Sequence, residues 1–431
     1  MFYFSVNEDT SINSGFWNPI ESIIMRITAF ICLALWLTTF SALAQDNSAE
    51  SKRLAPTPPM GWMTWNFFAD NINEKDIREM ADAMVASGMV EAGYNYIFID
   101  DGWQGGRDNR NNIIADPKKF PSGIKALAEY VHSKGMKLGI YSDAAQLTCA
   151  GYTASLGFEE QDAKTFASWD IDYLKYDYCF APKDSATAVE RYTKMSQALR
   201  KSGRDIVFGI CEWGQRKPWY WAAEAGGQLW RTTYDVRDKW KNLSTEENAE
   251  GILDILDINA ELHEYAGPGR WNDADMLVVG LYGKPGPSGD MGGVGMNDTE
   301  YQSQMSLWSI MASPLIATND IRNMNEATKR ILLNKEVIAV NQDALGKQAE
   351  RKVHDGTWDV FVKPLQNGEV AVAILNRGDQ AKNYSIDWAK LGLSGKYEVR
   401  DLWAHKSAGK GKGWKGRVQS HETKLFRLKK I

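Results

Sequence analysis

From Pro58 onward, short apolar segments alternate with amphipathic ones, and the alternation runs through eight rounds. Met60–Trp65, Tyr94–Asp100, Lys137–Asp143, Tyr173–Tyr178, Ile206–Glu212, Leu229–Thr233, Arg270–Met276 and Pro314–Thr318 read as strands. Each is short and bounded by turn residues, as strands buried on both faces are. Glu74–Met89, Ser122–Lys134, Gln161–Trp169, Thr187–Ser202, Glu246–Tyr265, Glu300–Met311 and Asn325–Leu333 read as helices; in the first, Ile77, Met80 and Met84 share one side. Parallel strands need such crossovers. Eight units over roughly 280 residues predict an α/β fold, a (β/α)8 barrel of the TIM type. An open doubly wound sheet is the alternative, and it would be long.

The pattern changes after Gly346. Thr357–Val362 and Glu369–Leu375 alternate about the turn Gln366-Asn-Gly368, a hairpin signal. Tyr384–Trp388, Lys396–Leu402 and Thr423–Lys429 follow with no helices between them. The expectation is a catalytic barrel over 55–345 and a C-terminal antiparallel β-sandwich over 346–431. Lys406–Arg417, rich in Gly and Lys, reads as a solvated loop.

Within the barrel, Lys175 and Asp177 lie two apart on the fourth strand and therefore share a face. On a surface strand this is an inert ion pair. On a buried strand facing a barrel mouth, it is a carboxylate that a neighbouring ammonium would keep ionised.

The 431 residues carry a net charge of −5, which gives no reason to expect a nucleic-acid partner. The 17 Trp and 17 Tyr suit a ligand with one apolar face and many hydroxyls, such as a sugar, although large barrels also pack many aromatics. At the N-terminus, Met25-Arg-Ile-Thr leads into an apolar run through Phe40, then Ser41-Ala-Leu-Ala44. That reads as a signal peptide over 25–44 and predicts export to the periplasm or beyond, with no other membrane association. Residues 1–24 lack pattern and read as a disordered stretch or as sequence ahead of the true start. Cys149, Cys179 and Cys211 remain after cleavage, enough for one internal disulfide. Cys149 and Cys179 follow consecutive strands, so a bridge between them is sterically reasonable, with Cys211 left as a buried thiol.

Barrels of this type place their chemistry at the C-terminal ends of the strands. Those ends supply Trp65, Asp100, Asp101, Tyr141, Asp143, Lys175, Asp177, Cys211, Glu212, Trp213, Arg231, Asp235, Asn272, Asp273 and Asp275. The five histidines show no metal-type spacing, and no nucleophile elbow or phosphate loop stands out. No metal or cofactor is therefore expected. Two carboxylates across a scissile bond are what glycoside hydrolysis needs. Asp177 is the candidate nucleophile. Asp235 is the candidate acid/base, its proton affinity raised by the charge of Asp177, although a lone loop aspartate is also a common turn residue. Asp143, Asp273 and Asp275 read as supporting or turn residues, and Trp62, out of phase with Trp65, as core.

Several segments closely resemble glycoside hydrolase family 27: Thr57-Pro-Pro-Met-Gly-Trp-Met-Thr-Trp65, Ile99-Asp-Asp-Gly-Trp103, Lys137-Leu-Gly-Ile-Tyr-Ser-Asp143, Ser155-Leu-Gly-Phe-Glu-Glu-Gln-Asp-Ala163, Tyr173-Leu-Lys-Tyr-Asp177, Cys211-Glu-Trp213, Gly267-Pro-Gly-Arg-Trp-Asn-Asp273 and Val340-Asn-Gln-Asp343. The resemblance spans 55–431. It implies a retaining exo-glycosidase with Asp177 as nucleophile and Asp235 as acid/base. It also implies substrate contacts from Trp65, Asp100, Asp101, Tyr141, Lys175, Glu212, Trp213 and Arg231, and a disulfide Cys149–Cys179. The implied substrate is a galactose-containing oligo- or polysaccharide, with Asp100 and Asp101 near the 4- and 6-hydroxyls and Glu212 and Trp213 near the 2-position. β-L-Arabinopyranosidase and α-N-acetylgalactosaminidase are the alternatives within the family, and a non-catalytic sugar-binding barrel lies outside it. Tyr178 after the nucleophile and Tyr234 before Asp235 are bulkier than the family pattern, and the Gly- and Pro-rich stretch Gly283–Asn297 is longer.

Overall fold

The computed structural model describes residues 54–242, 248, 250–284, 286–287 and 293–431. The segments 1–24 and 25–44 lie outside the described residues, as do parts of the helix expected to start at Glu246 and of the 283–297 stretch.

Ten strands belong to the first part of the chain: β1 (Met60–Met63), β2 (Tyr96–Phe98), β3 (Gln104–Arg107), β4 (Ile113–Ala115), β5 (Lys137–Asp143), β6 (Tyr173–Asp177), β7 (Val207–Ile210), β8 (Leu229–Arg231), β9 (Trp271–Asp273) and β10 (Leu315–Ala317). Eight of them form a parallel sheet in the order β10-β1-β2-β5-β6-β7-β8-β9. Just past β9, Leu277 bridges Ala317 of β10 in parallel, and its N–H donates to Ile316 O at 2.8 Å, which closes the ring. The barrel expectation holds. Trp62, fully buried, is core as expected.

The ladders are shorter than the apolar runs. Trp65 opens a short helix, Trp65–Phe68, and Asp100, Glu212 and Asp235 stand beyond the last paired residues. At this rim the chain turns out of the sheet and side chains take over backbone groups: Asp100 N donates to Thr64 Oγ1 at 3.0 Å. The strands β3 and β4 form a hairpin that the sequence did not announce.

The second part contains β11 (Glu350–His354), β12 (Trp358–Pro364), β13 (Val370–Asn376), β14 (Lys382–Asp387), β15 (Tyr397–Asp401), β16 (Lys406–Gly411), β17 (Gly413–Val418) and β18 (Thr423–Lys430). A six-stranded antiparallel sheet, β11-β12-β13-β18-β15-β16, faces the ribbon β14-β17. The Lys406–Arg417 loop expectation is therefore wrong: this stretch forms β16 and nearly all of β17. Its residues are largely exposed on these strands, so no apolar alternation marked them.

Period-two alternation gives the large sheet two buried faces. Val360, Val362, Val372 and Ile374 face the sandwich core, while Phe361, Ala371, Ala373 and Leu375 join the barrel core. Lys363 follows the second set. Fully buried, its Nζ donates to Val340 O at 2.6 Å and Ser309 O at 3.4 Å, carbonyls near the ends of helices Lys335–Asn341 and Asp298–Ile310. Arg377 bridges Asp257 on the barrel side (2.7 Å) and Asp359 on the sandwich side (2.6 Å). Among the described residues no helix is long and apolar enough to cross a membrane.

Candidate active site

The parallel register sets the site. β5 and β6 pair Tyr141 with Lys175 and Asp143 with Asp177, so four polar side chains from two strands point into one mouth. Lys175 Nζ lies 5.4 Å from the Tyr141 ring centre. Tyr141 Oη donates to Asp177 Oδ2 at 3.2 Å and lies 3.2 Å from Cys149 Sγ. The N–H of Tyr178 donates to Asp177 Oδ1 at 3.0 Å. Asp177 is buried and held at both oxygens.

Lys175 does not hold Asp177. Its Nζ donates to Asp100 Oδ2 at 2.8 Å, and Asp100 Oδ1 accepts from Asp101 N. Burial pushes Asp177 up to about 7; Lys175 works against this, while Asp235 and Asp100 add to it. The expectation of a carboxylate held ionised by its strand neighbour is corrected: the ammonium is committed to the loop after β2, two strands away, and desolvation wins. Asp101 turns to the opposite side, where Oδ2 accepts from Ala150 N at 2.8 Å, and burial raises it to about 6.

Asp235 departs from expectation in the other direction. Its burial raises proton affinity, but Arg231 and then Lys175 outweigh that, leaving the carboxyl below its ordinary value. Arg231, itself buried, donates from Nη2 to Asp235 Oδ1 at 3.0 Å and lies 3.1 Å from Asp275 Oδ2. The Asp235 side chain keeps 46% of its surface exposed, so solvent moderates the effect. Asp275 also accepts from Val236 N, which fixes the residue next to Asp235.

A cavity at the barrel axis is lined by Met63, Lys175, Cys211, Arg231, Asp273 and Asp275. Cys211 belongs to it: Arg231 Nη1 donates to its sulfur at 3.8 Å. Glu212, one residue on, does not. Its side chain has no exposed surface, and Oε2 accepts from Arg216 N at 2.8 Å and Arg216 Nη1 at 3.0 Å. Burial raises it to about 7 against Arg216. Cys211 therefore faces the cavity and Glu212 faces Arg216, a division that strand alternation from Gly209 carries. Trp65 and Trp213 are half-buried at the rim, Trp213 in a left-handed conformation (φ 57°).

Cys149 and Cys179 form the disulfide, with Cα atoms 5.1 Å apart, and Cys211 is free. Tyr178 packs behind the site, stacked on Tyr192 with its ring 4.5 Å from the Arg216 guanidinium. Tyr234 accepts from Gln215 Nε2. Asp143, Cys149, Asp177 and Cys179 offer donor atoms within 4.8 Å of one another, but the two sulfurs are bonded to each other. A second such group, Asp257, His354 and Asp359, is bridged by Arg351 and Arg377. The arrangement as a whole is a deep mouth lined by carboxylates and cations with aromatic walls, suited to gripping hydroxyls and to carboxylate chemistry.

The sequence matches the family described as Alpha galactosidase A over residues 57–343 and the Alpha galactosidase C-terminal beta sandwich domain over 355–428. Alpha-galactosidase A of Cellvibrio japonicus is 49% identical over 365 residues, covering 83% of this chain and 86% of its own. The crystal structure of alpha-galactosidase I from Mortierella vinacea superimposes with a TM-score of 0.82 at 38% identity, over 87% of this chain and 98% of that one. The Saccharomyces cerevisiae α-galactosidase solved with raffinose gives 0.79 at 28% identity, with the same coverage. With the barrel and the sandwich in place and relatives this similar, the chain belongs to the melibiase family, glycoside hydrolase family 27.

Proposed function

We propose that the protein is a retaining, exo-acting α-galactosidase that releases terminal α-linked galactose from oligo- or polysaccharides. The observation that carries this is the pair Asp177 and Asp235. One is a buried carboxylate pinned at both oxygens. The other is half-exposed, and its charge favours a proton on the first. A nucleophile must be fixed in place, and an acid/base must reach both the leaving oxygen and water.

The galactosyl ring enters with Asp100, Asp101 and Lys175 at its hydroxyls, Arg231 and Cys211 on the far side of the mouth, and Trp65, Tyr141 and Trp213 along its apolar surface. Asp177 attacks the anomeric carbon while Asp235 gives its proton to the glycosidic oxygen, and the aglycone leaves. Asp235 then takes a proton from water, which displaces Asp177 from the covalent ester and releases α-galactose. Burial favours a proton on Asp177 while Arg231 favours the ionised Asp235, so attack draws on the sugar and its leaving oxygen to shift both. Export through the 25–44 segment belongs to the same proposal, and the disulfide fits an oxidising compartment.

The test is hydrolysis of aryl α-galactoside, α-N-acetylgalactosaminide and β-L-arabinopyranoside, with the first-formed anomer read by proton NMR. The expected result is preference for the α-galactoside and α-galactose as first product. Preference for another sugar overturns the specificity, β-galactose first overturns retention, and no turnover leaves the binding-barrel alternative.

A further inference from the structure

An aromatic ring stands in solvent three residues past the proposed nucleophile. Phe180 is 78% exposed, the highest value among the large hydrophobic side chains of the described residues. It also holds a left-handed backbone conformation, φ 53°, which disfavours a bulky L-residue. Three Cα–Cα steps limit it to within about 11 Å of Asp177 along the chain.

The loop that carries it is clamped on both sides of the ring. Before it, Cys179 N donates to the buried Asp143 Oδ2 at 2.9 Å, and the Cys179 sulfur is bonded to Cys149. After it, Pro182 O accepts from Arg216 Nη2 at 3.4 Å, with Arg216 itself anchored on Glu212. The loop on the other side of the disulfide contributes a second exposed apolar side chain, Leu147, 49% exposed and two residues before Cys149. The Cys149 sulfur lies 3.2 Å from the Tyr141 hydroxyl that touches Asp177. These contacts tie both loops to residues around Asp177, and each loop carries an exposed apolar side chain.

We propose that Phe180 forms the platform for the leaving sugar, stacking on the apolar face of the ring attached to the scissile oxygen, with Leu147 on the loop across the disulfide as a second apolar contact. The proposal rests on the galactosidase reading and adds the side chain that grips the saccharide leaving group. Pyranose rings present a C–H face that an aromatic ring covers, and a clamped ring loses little freedom on binding. Phe180 acts on the departing half of the substrate and takes no part in proton transfer or attack at the anomeric carbon.

The experiment compares two substrates in wild type, Phe180→Ala and Phe180→Tyr. One is a galactosyl-α-1,6-glucose disaccharide. The other is α-galactosyl fluoride, which has the same glycosyl half and no aglycone ring. In Phe180→Ala, kcat/KM for the disaccharide should fall about fivefold to tenfold while the fluoride changes less than about twofold. Phe180→Tyr, which keeps the ring, should restore the disaccharide value. Equal loss on both substrates makes Phe180 a support of the fold and overturns the platform, as does an unchanged disaccharide value. Wild type inactive on both overturns the galactosidase reading itself.

Discussion

Lys175 Nζ sits 2.8 Å from Asp100 Oδ2, on the loop after β2 two strands away, rather than on Asp177 two residues further along its own strand. Both partners are nearly buried, 13% and 3% exposed, so each is the other's main counter-charge. Removing one leaves a desolvated ion. Lys175→Met should destabilise the protein by about 3–5 kcal/mol and abolish turnover. Adding Asp100→Asn should recover much of the stability in urea unfolding and none of the activity. Additive losses would contradict the pairing.

Asp177 is raised to about 7 by burial from an ordinary value of 3.8, so the folded protein holds a proton there that the unfolded chain releases. Its contribution to stability therefore falls as pH rises from about 4 to about 7 and is level above. Asp177→Asn removes this term. The variant should be more stable than wild type at pH 8, on the order of 1 kcal/mol or more, with the margin shrinking toward pH 4. Thermal unfolding across that range reads it, and a pH-independent margin would contradict it.

Glu212 is bound by Arg216 and has no exposed side-chain surface. Glu212→Gln should leave the ratio of activity on α-galactoside to α-N-acetylgalactosaminide within about twofold, whereas Cys211→Phe, filling the cavity beside Arg231, should raise KM for the galactoside at least about tenfold. A changed ratio in Glu212→Gln would return that carboxylate to the sugar.

Lys363 is lowered to about 7 by burial, with Asp343 opposing, from an ordinary 10.5. Between those values the unfolded chain binds the extra proton, so this group's contribution to stability rises with pH from about 7 to about 10 and is level below. Relative to Lys363→Met, wild type should gain stability across that window in urea unfolding. A difference that stays constant from pH 6 to pH 10 would contradict a neutral amine at the junction of the two domains.

The barrel was legible because buried parallel strands and crossover helices differ in period and length, and Tyr141, Lys175, Asp177 and Arg231 lie on the strands that reading gave them. What period-two reasoning supplies is a face. It put Lys175 and Asp177 on one side of β6, but which carboxylate the ammonium meets depends on β2 across the sheet. The same reasoning, counted from Gly209, separates Cys211 from Glu212, so that distinction was available in the sequence. Strands β16 and β17 were not: edge strands with mostly exposed side chains leave no apolar rhythm. The hairpin β3–β4 hid likewise in Gly- and Asn-rich sequence.

The proposed reaction requires that Asp177 form the covalent bond to the sugar. Incubating the enzyme with an activated fluorogalactoside that accumulates the glycosyl ester, followed by peptide mass mapping, tests it most directly. The account predicts one hexosyl adduct, on Asp177 within Tyr173–Cys179. An adduct on Asp235 or Asp143, or turnover with no adduct, would contradict it.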